Sequence, residues 1–387
     1  MKTCPKCNEI LGDSVKVCVK CRYQFEQDEL QEALDKGESV KKFSQDRMDA
    51  QKWNNRIVIL VILFICLITA AFLYLFGTEI SFVENGGIRC DSSRFIPYEF
   101  TVYWDHAVVN KYLGEEQEVN IPASLWGRPV TVIGEGCFWS GWDKESNIIK
   151  VRIPKTVTKI ERSAFVSCHE LVEVTGGKKV KIVEESAFDF CSSLAVVDLG
   201  SEIERIEVEA FGSCKQLKQF GRQDKLEYIG PGAFLHSGLE EFEFNSDADV
   251  QCRAFDDTPW LHRQTEEFLI YGDGSLLYYN GPEGKIIIPD EVKTMLEWSF
   301  VGLTDSEIFL PPTVQKIEGE CFYDCTNIKV YIPSSVEEMG NYIGTKREEE
   351  IFEMWNCSGV TIVTTKGSHA EEYAKEHNIP YEIVESW

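Results

Sequence analysis

Four cysteines near the start of the chain are the side chains best placed to do chemistry. Cys4-x-x-Cys7 is followed by ten residues and then by Cys18-x-x-Cys21. Two such pairs can supply four thiolates to a tetrahedral Zn²⁺ at ~2.3 Å. Because all four positions would be protein ligands, we predict one structural ion with no open position for catalysis. A segment this short cannot bury a sufficient core, so the metal would supply the folding energy.

The cysteine pairs also allow other interpretations. A redox-active pair and a chance pairing are alternatives to a metal site. Iron could occupy the same thiolates, although tetrahedral sites with four sulfur ligands usually hold zinc. Residues 1–25 resemble the small zinc-ribbon domain found at the N-terminus of many bacterial membrane proteins. That family usually has Gly after the second cysteine of each pair, where this chain has Asn8 and Arg22.

An uncharged apolar run, residues 57–76, separates this head from the rest of the chain. As a helix rising ~1.5 Å per residue, the run would span a hydrocarbon core of ~30 Å, and we predict a single transmembrane helix. Basic residues precede it and acidic residues follow it, which predicts a cytoplasmic N-terminus and an external C-terminus. The polar segment 26–56 would be a juxtamembrane linker. A buried core helix is the alternative interpretation of the run.

The charge of the chain excludes one class of partner for its outer part. The formal net charge is −25, with +1 before the apolar run and −26 beyond it. A surface this acidic repels nucleic acid and anionic lipid, and the outer sequence contains no basic patch to attract phosphate. We therefore expect no nucleic acid to bind there.

The outer sequence is a repeat. A small residue followed by Phe recurs at intervals of 21 to 27 residues, with one interval of 45 that spans two periods. The small-Phe pairs end at Phe138, Phe165, Phe188, Phe211, Phe234, Phe255, Phe300 and Phe322. A unit of this length cannot bury its own apolar face, so the units must stack. We predict parallel strands and one continuous core of stacked apolar residues.

The repeat resembles the BspA-type leucine-rich repeats of bacterial surface proteins. RIPKTVTKIERSAFVSC (152–168) aligns with FLPPTVQKIEGECFYDC (309–325). The resemblance implies an α/β solenoid over residues 100–387, with a short helical turn at each small-Phe pair. It also implies an entry repeat at 119–138, a β-hairpin insertion at 258–284 and a cap at 360–387 with a helix around Ala370–Glu376. Residues 77–99 would be a stalk or a first strand.

Cysteine recurs three residues after Phe in several units, and it has two interpretations. The thiols are either small buried hydrophobes or partners in disulfides between neighbouring units, which the spacing of Cys168, Cys191 and Cys214 does not forbid. The resemblance implies free thiols, and we favour that interpretation.

Alternation along the strands predicts which side chains face outward and could contact a ligand. In the middle units these are polar, and in the last units they are apolar or aromatic, which together suggest a ligand platform. The polar set is Arg152, Glu173, Asp198, Glu241 and Glu243, and the apolar set is Ile287, Phe309 and Tyr331. The alternative is that the three apolar residues pack on one another, or under the cap, and bind nothing.

No catalytic motif is evident in the sequence. The histidines form no HExxH arrangement, and no Gly-rich phosphate loop or nucleophile elbow is present. We predict a single-pass protein of the bacterial cell membrane that presents an external leucine-rich-repeat domain to a protein or glycan ligand. One alternative is a sensor that couples this ligand to a cytoplasmic protein partner of the zinc ribbon. A cell-wall enzyme is the third hypothesis.

Overall fold

A computed structural model describes residues 1–12, 15–24, 80–83, 86–90, 96–139, 141, 146–340 and 357–386. The chain divides into two units, Met1–Gly77 and Thr78–Trp387. The predicted linker and the predicted transmembrane helix lie outside the described residues. Within the described part of the chain, no helix is both long and apolar enough to cross a membrane.

The first unit contains a small antiparallel ladder. Strand β1 (Lys2–Thr3) pairs with β2 (Ile10–Leu11), so that Thr3 lies opposite Ile10. An antiparallel bridge between Val17 and Gln24 follows. Each ladder brackets one Cys-x-x-Cys turn, so the same local structure occurs twice.

The second unit begins with four antiparallel strands. They are β3 (Ile80–Val83), β4 (Gly87–Cys90), β5 (Tyr98–Val102) and β6 (Ala107–Tyr112). The structure therefore contains strands in the region that we predicted as a stalk or a first strand. Strand β6 then pairs in parallel with β9 (Arg128–Ile133). The short β8 (Ser124–Leu125) pairs with β9 in antiparallel orientation. This sheet is the entry to the repeat.

Each repeat unit contributes two strands. One belongs to a first layer of longer strands, and the other belongs to a second layer. The strands of the first layer are β7 (Glu118–Asn120), β10 (Lys150–Ile153), β12 (Glu173–Gly176), β14 (Val196–Asp198), β16 (Gln219–Gln223) and β18 (Glu241–Phe244). The strands of the second, after β9, are β11 (Lys159–Ile160), β13 (Ile182–Val183), β15 (Arg205–Ile206), β17 (Tyr228–Ile229) and β19 (Asp249–Val250). Pairing between units is parallel in both layers.

The short helical turns predicted at the small-Phe pairs are hydrogen-bonded turns, and in the described residues none of them extends into a helix. Left-handed residues flank each pair, as at Ser163 (φ 53°) and Ser167 (φ 56°). Only three residues lie between them, which is too few for a helix to propagate. The amide of Phe165 instead donates to the carbonyl of Ala187 in the next unit at 2.8 Å. The architecture is therefore a parallel β-solenoid with turns at its third side, which we call the turn row.

A hairpin interrupts the repeat after the sixth small-Phe pair. The short helix α1 (Pro259–His262) begins at Thr258, whose hydroxyl accepts a hydrogen bond from the amide of Leu261. Strands β20 (Phe268–Tyr271) and β21 (Ser275–Tyr279) then form an antiparallel pair. Strand β21 also pairs in parallel with β23 (Thr294–Met295), so the hairpin joins the second half of the solenoid.

The second half continues the same layers to the end of the chain. The first layer is β22 (Lys285–Ile287), β25 (Glu307–Phe309), β28 (Lys329–Tyr331), β30 (Thr361–Thr365) and β31 (Tyr381–Val384). The second layer adds β26 (Lys316–Ile317) and β29 (Glu338–Met339) to β23. In the turn row, β24 (Phe300–Val301) pairs with β27 (Phe322–Tyr323).

The helix α2 (His369–Glu376) closes this end of the solenoid. The Ser368 hydroxyl accepts from the amide of Glu371 at 3.1 Å, and the Glu371 carboxylate accepts from the amide of Gly367 at 2.5 Å. These two bonds satisfy amides at the helix start that have no partner within the helix. Ala370 and Ala374 are buried against the second half of the repeat.

The interior is divided, and the prediction of one continuous core was wrong. One hydrophobic cluster extends from Cys90 to Leu296, and a second extends from Leu276 to Ile379. The phenylalanines of the first cluster stack in register, with successive ring centroids 4.6, 4.8, 5.1, 5.4 and 5.5 Å apart from Phe138 to Phe255. The division falls at the hairpin, where the regular stack of units is broken.

Candidate metal centre and binding surface

The four head cysteines converge on one point. The Sγ atoms of Cys4, Cys7, Cys18 and Cys21 all lie within 4.8 Å of one another. The Cys4–Cys21 and Cys7–Cys18 sulfur pairs are 3.5 and 3.6 Å apart. A tetrahedral ion with sulfur ligands at ~2.3 Å requires sulfur atoms about 3.8 Å apart, so the donor set fits a single Zn²⁺.

The backbone of each cysteine turn explains this convergence. The amide of Asn8 donates to the Cys4 carbonyl and the amide of Arg22 donates to the Cys18 carbonyl, both at 2.8 Å. Asn8 and Arg22 have φ of 55° and 57°. Arg22 therefore adopts the left-handed backbone that a glycine takes in the zinc-ribbon pattern, and the two turns are equivalent.

The electrostatics of the cluster favour a cation. Backbone amides of Cys21 and Lys20 point at the Cys18 sulfur and lower its pKa to about 7. The Glu9 amide lowers the pKa of Cys7, but burial and the neighbouring sulfurs outweigh it and raise that pKa to about 12. Four thiolates this close repel one another, so all four ionise together only around a positive ion.

The predicted outward residues of the first layer lie at the surface, and we call this surface the strand face. Buried and exposed side chains alternate along strands β10, β14 and β18. The exposed residues are Arg152, Asp198 and Glu243, and the buried residues just before them are Val151, Val197 and Phe242. The polar residues do not form one row. Arg152 lies in register with Thr175 and Asp198, whereas Glu173 belongs to the parallel row of Lys150.

Most of these acidic side chains pair with a polar or basic side chain of a neighbouring unit. Glu173 lies 3.4 Å from Lys150, Asp198 lies 2.6 Å from Lys178, and Glu243 lies 2.9 Å from Arg222. Glu241 accepts from the Gln219 side chain at 2.8 Å. The pairs are exposed, and such pairs contribute about 0–1 kcal/mol each. Their arrangement resembles a solvated sheet surface more than a preformed ligand site.

The three predicted apolar residues form one row on adjacent strands, which we call the aromatic row. Ile287 lies opposite Phe309, and Phe309 lies opposite Tyr331. The two rings stack with centroids 4.0 Å apart and planes 13° apart. Ile287 is 64% exposed at the end of this stack. The row is therefore both internally packed, as one interpretation expected, and open at one end.

Sequence reasoning missed the charged residues that flank the aromatic row. Lys285 lies with its Nζ atom 4.9 Å from the centre of the Phe309 ring. Lys329 is paired with Glu382 at 2.8 Å, and the Tyr331 hydroxyl donates to Glu307 at 3.4 Å. Strand alternation places Lys285 and Lys329 two residues before Ile287 and Tyr331, so the same signal could have found them.

The described cysteines of the repeat are free thiols. Those that follow Phe donate to the carbonyl of a Phe in the preceding unit. Cys191 donates to Phe165 at 3.1 Å and Cys214 donates to Phe188 at 3.2 Å. Burial raises the pKa of Cys168 to about 12, and that of Cys191 well above its usual range. These thiols fill space and satisfy backbone carbonyls, as the resemblance implied.

Comparison with known families gives one extended match. The chain matches the family model described as BspA type leucine rich repeat region, in six copies, over residues 129–261 and 274–361. These two stretches together make up more than half of the chain. No curated protein sequence matches the chain.

Several solved structures align with this chain at low sequence identity. A leucine rich cell surface protein from Faecalibacterium prausnitzii is 20% identical, with a TM-score of 0.46 over 72% of this chain and 95% of that one. A leucine-rich repeat protein from Bacteroides ovatus is 18% identical, with a TM-score of 0.39 over 74% of this chain and 83% of that one. The pneumococcal vaccine antigen PcpA is 14% identical, with a TM-score of 0.37 over 79% of this chain and 99% of that one. Likeness at this level concerns the fold alone.

Proposed function

Because this chain belongs to the BspA-type leucine-rich repeat family, we propose that it is a bacterial cell-surface interaction protein that binds a protein or glycan ligand through its solenoid. The observation that carries the proposal is the aromatic row, where a stacked Phe309–Tyr331 pair ends in the exposed Ile287. The two rings are half-buried and Ile287 is exposed. Apolar side chains that are already packed on a sheet bury further apolar area on contact at little entropic cost. Binding, and not catalysis, is the role that this arrangement supports.

Membrane anchoring is the second part of the proposal. The apolar run 57–76 would cross the membrane once, with the basic flank inside and the acidic solenoid outside. Its support is the sequence of the run and the asymmetry of charge on either side of it.

The head completes the proposal with a structural metal site. Cys4, Cys7, Cys18 and Cys21 would hold one Zn²⁺ on the cytoplasmic side, and the metal would stabilise two turns that have little hydrophobic core of their own. The zinc ribbon could also contact a cytoplasmic protein. That contact is the basis of the alternative function, a transmembrane sensor.

Protease treatment of intact cells tests the placement of the solenoid. We expect residues 100–387 to be digested in intact cells as they are in lysed cells. If digestion requires lysis, the repeat is an intracellular scaffold and the cell-surface proposal is wrong.

Surface variants test the aromatic row. The full chain is assayed against an array of printed glycans and purified extracellular-matrix proteins. We expect the double variant Phe309→Ser and Tyr331→Ser to lose at least tenfold in binding without unfolding. The matched control is Phe190→Ser, which removes an aromatic side chain that is 51% exposed in the turn row. Unchanged binding by the double variant contradicts a role for the aromatic row.

A further inference from the structure

A groove of about 770 Å³ opens on the turn row at the N-terminal end of the solenoid. The turn segments of the first three units line one side of the groove, and strands β4, β5 and β6 line the other. None of the lining residues belongs to the strand face, so this groove is separate from the aromatic row. Its volume lies within the range of small-ligand sites, about 300–1,000 Å³.

Small residues at one repeat position create the groove. The residue just before each small-Phe pair is Gly136, Ser163 and Ser186 in the first three units, and all three line the groove. In the fourth unit, the same position holds Glu209 in the same left-handed backbone, with φ of 51° compared with 53° at Ser163. Arg253 occupies the position in a later unit with φ of 57°. The backbone thus accepts a large side chain at this position, and the groove exists because the first units lack one.

Polar groups of both kinds face the groove. Lys111 and Glu135 line it and form no ion pair with another residue in the described part of the chain. Asn110 donates through its amide nitrogen to the Thr101 hydroxyl at 2.7 Å, which leaves the amide oxygen available as an acceptor. The hydroxyls of Ser163 and Ser186 add further donors and acceptors.

The other charged residues that line the groove have neighbours of opposite charge. Arg89 pairs with Glu99 at 3.3 Å, and Glu161 lies 3.6 Å from Lys159, which lies 2.8 Å from Glu184 as well. With charges of both signs present, the groove lacks the concentrated positive field that a polyanion needs. A ligand rich in neutral hydroxyl groups matches this mixture, because each hydroxyl both donates and accepts hydrogen bonds.

Trp139 supplies an apolar surface at the same site. Its side chain lines the groove and is 37% exposed. An indole ring buries a large flat apolar area against a ligand at a small entropic cost. The C–H face of a sugar ring has the complementary shape and polarity. We infer that this groove binds a neutral oligosaccharide, which is a second site beyond the one proposed on the strand face.

The test is a binding titration of the folded full chain with maltotriose, cellotriose, chitotriose and mannotriose. We expect at least one of these probes to bind with a dissociation constant in the millimolar range or below. Trp139→Ala removes the stacking surface and should weaken binding at least tenfold. The matched control is Trp104→Ala, which removes an indole that is 86% exposed and lies outside the groove lining; it should bind as the unmodified chain does.

A second variant guards against a folding defect at Trp139. Ser163→Arg fills the groove with a side chain that the repeat itself carries at Arg253, so the fold should tolerate it. It should also weaken binding at least tenfold. Absence of binding by all four probes at millimolar concentration overturns the inference, and so does unmodified affinity in either folded groove variant. Neither result depends on the aromatic row, whose variants test the proposed function separately.

Discussion

At the scale of single residues, the repeat places ionisable groups in the interior and keeps them neutral. Cys191 and Cys214 are the plainest case, because each S–H donates to a backbone carbonyl and burial raises the pKa of each thiol. Thiols of this kind are poor nucleophiles, since the thiolate is the reactive form. Asp189 is a less expected case. It is buried beside Gly212, where an added Cβ would lie 2.6 Å from the Asp189 Oδ1 atom.

Asp189 leads to a prediction about pH. Burial, with a smaller contribution from Glu209, raises the pKa of Asp189 from 3.8 to about 7. The folded chain therefore holds a proton that the unfolded chain releases, and the free energy of unfolding falls as pH rises from about 4 to about 7. Asp189→Asn should remove this slope, at most about 1.4 kcal/mol for each pH unit, and should stabilise the chain at pH 7 and above.

Denaturant unfolding of the full chain between pH 4 and pH 8 measures the Asp189 effect. Asp256 has a pKa raised to about 7 by burial and will contribute a similar slope that the variant retains. The control is Asp198→Asn, because Lys178 lowers the pKa of that exposed carboxyl and its loss should not stabilise the chain. A variant at Asp189 that is no more stable than the unmodified chain at pH 8 contradicts the assignment.

At the scale of elements, left-handed residues determine the shape of the turn row. They occur just before the small-Phe pair and two residues after the Phe in each regular unit. Between them, the Phe amide bonds to the next unit and not to its own turn. The turn row is therefore stabilised by stacking of units, and an isolated unit would lose these bonds.

Substitution at one left-handed position tests this account. Ser213 has φ of 54°, and its amide donates to Leu235 at 2.8 Å. Ser213→Val should destabilise the chain by about 1–2 kcal/mol, because a β-branched side chain is strained in this backbone. The control is Ser192→Val in the same row, where the backbone is not left-handed. Equal destabilisation by the two variants in denaturant titrations argues against backbone strain.

The cysteine turns of the head lead to a prediction about metal. The full chain should contain one zinc ion, released by a thiol-modifying reagent and measured with a chromogenic chelator. Cys18→Ser should abolish this stoichiometric zinc, because three thiolates bind the ion far less tightly than four. Cys252→Ser, in the solenoid, should retain it. Retention of zinc by Cys18→Ser contradicts the four-cysteine site.

At the scale of the whole molecule, the hairpin β20–β21 separates two hydrophobic clusters within the solenoid. Repeat proteins are stabilised by contacts between neighbouring units, so a break in the stack weakens the coupling between its two sides. The aromatic row lies on the half of the solenoid that contains the second cluster, and the groove lies on the half that contains the first cluster. The two candidate binding sites are thus supported by different cores.

Hydrogen exchange measures this coupling. Phe322→Ala removes a buried ring from the second cluster and should cost about 3–5 kcal/mol of local stability. Exchange should accelerate most in residues 285–340 and much less in residues 150–250. Phe188→Ala, in the first cluster, should show the opposite pattern. Uniform acceleration across both regions in either variant would show that the solenoid unfolds as one cooperative unit.

The repeat, and the sites that depend on local spacing, were predictable from the sequence. The small-Phe period predicted a solenoid of stacked parallel strands, and the family match confirmed the BspA-type resemblance. Strand alternation identified Arg152, Asp198 and Ile287 as surface residues, and all three are exposed. The two Cys-x-x-Cys pairs predicted a cluster of four sulfurs, which the structure brings within 4.8 Å. These inferences succeed because periodicity and short spacing are encoded within a few consecutive residues.

Features that depend on contacts between units were not predictable from the sequence and are known from the folded structure. The small-Phe segments do not extend into helices, because alternate amides, such as that of Phe165, bond across to the next unit. The core divides in two because the hairpin interrupts the stack, which a repeat period does not reveal. The groove at Trp139 joins residues from strands and turns that are distant in sequence. Such contacts depend on the register of neighbouring units, and no local pattern in the sequence specifies that register.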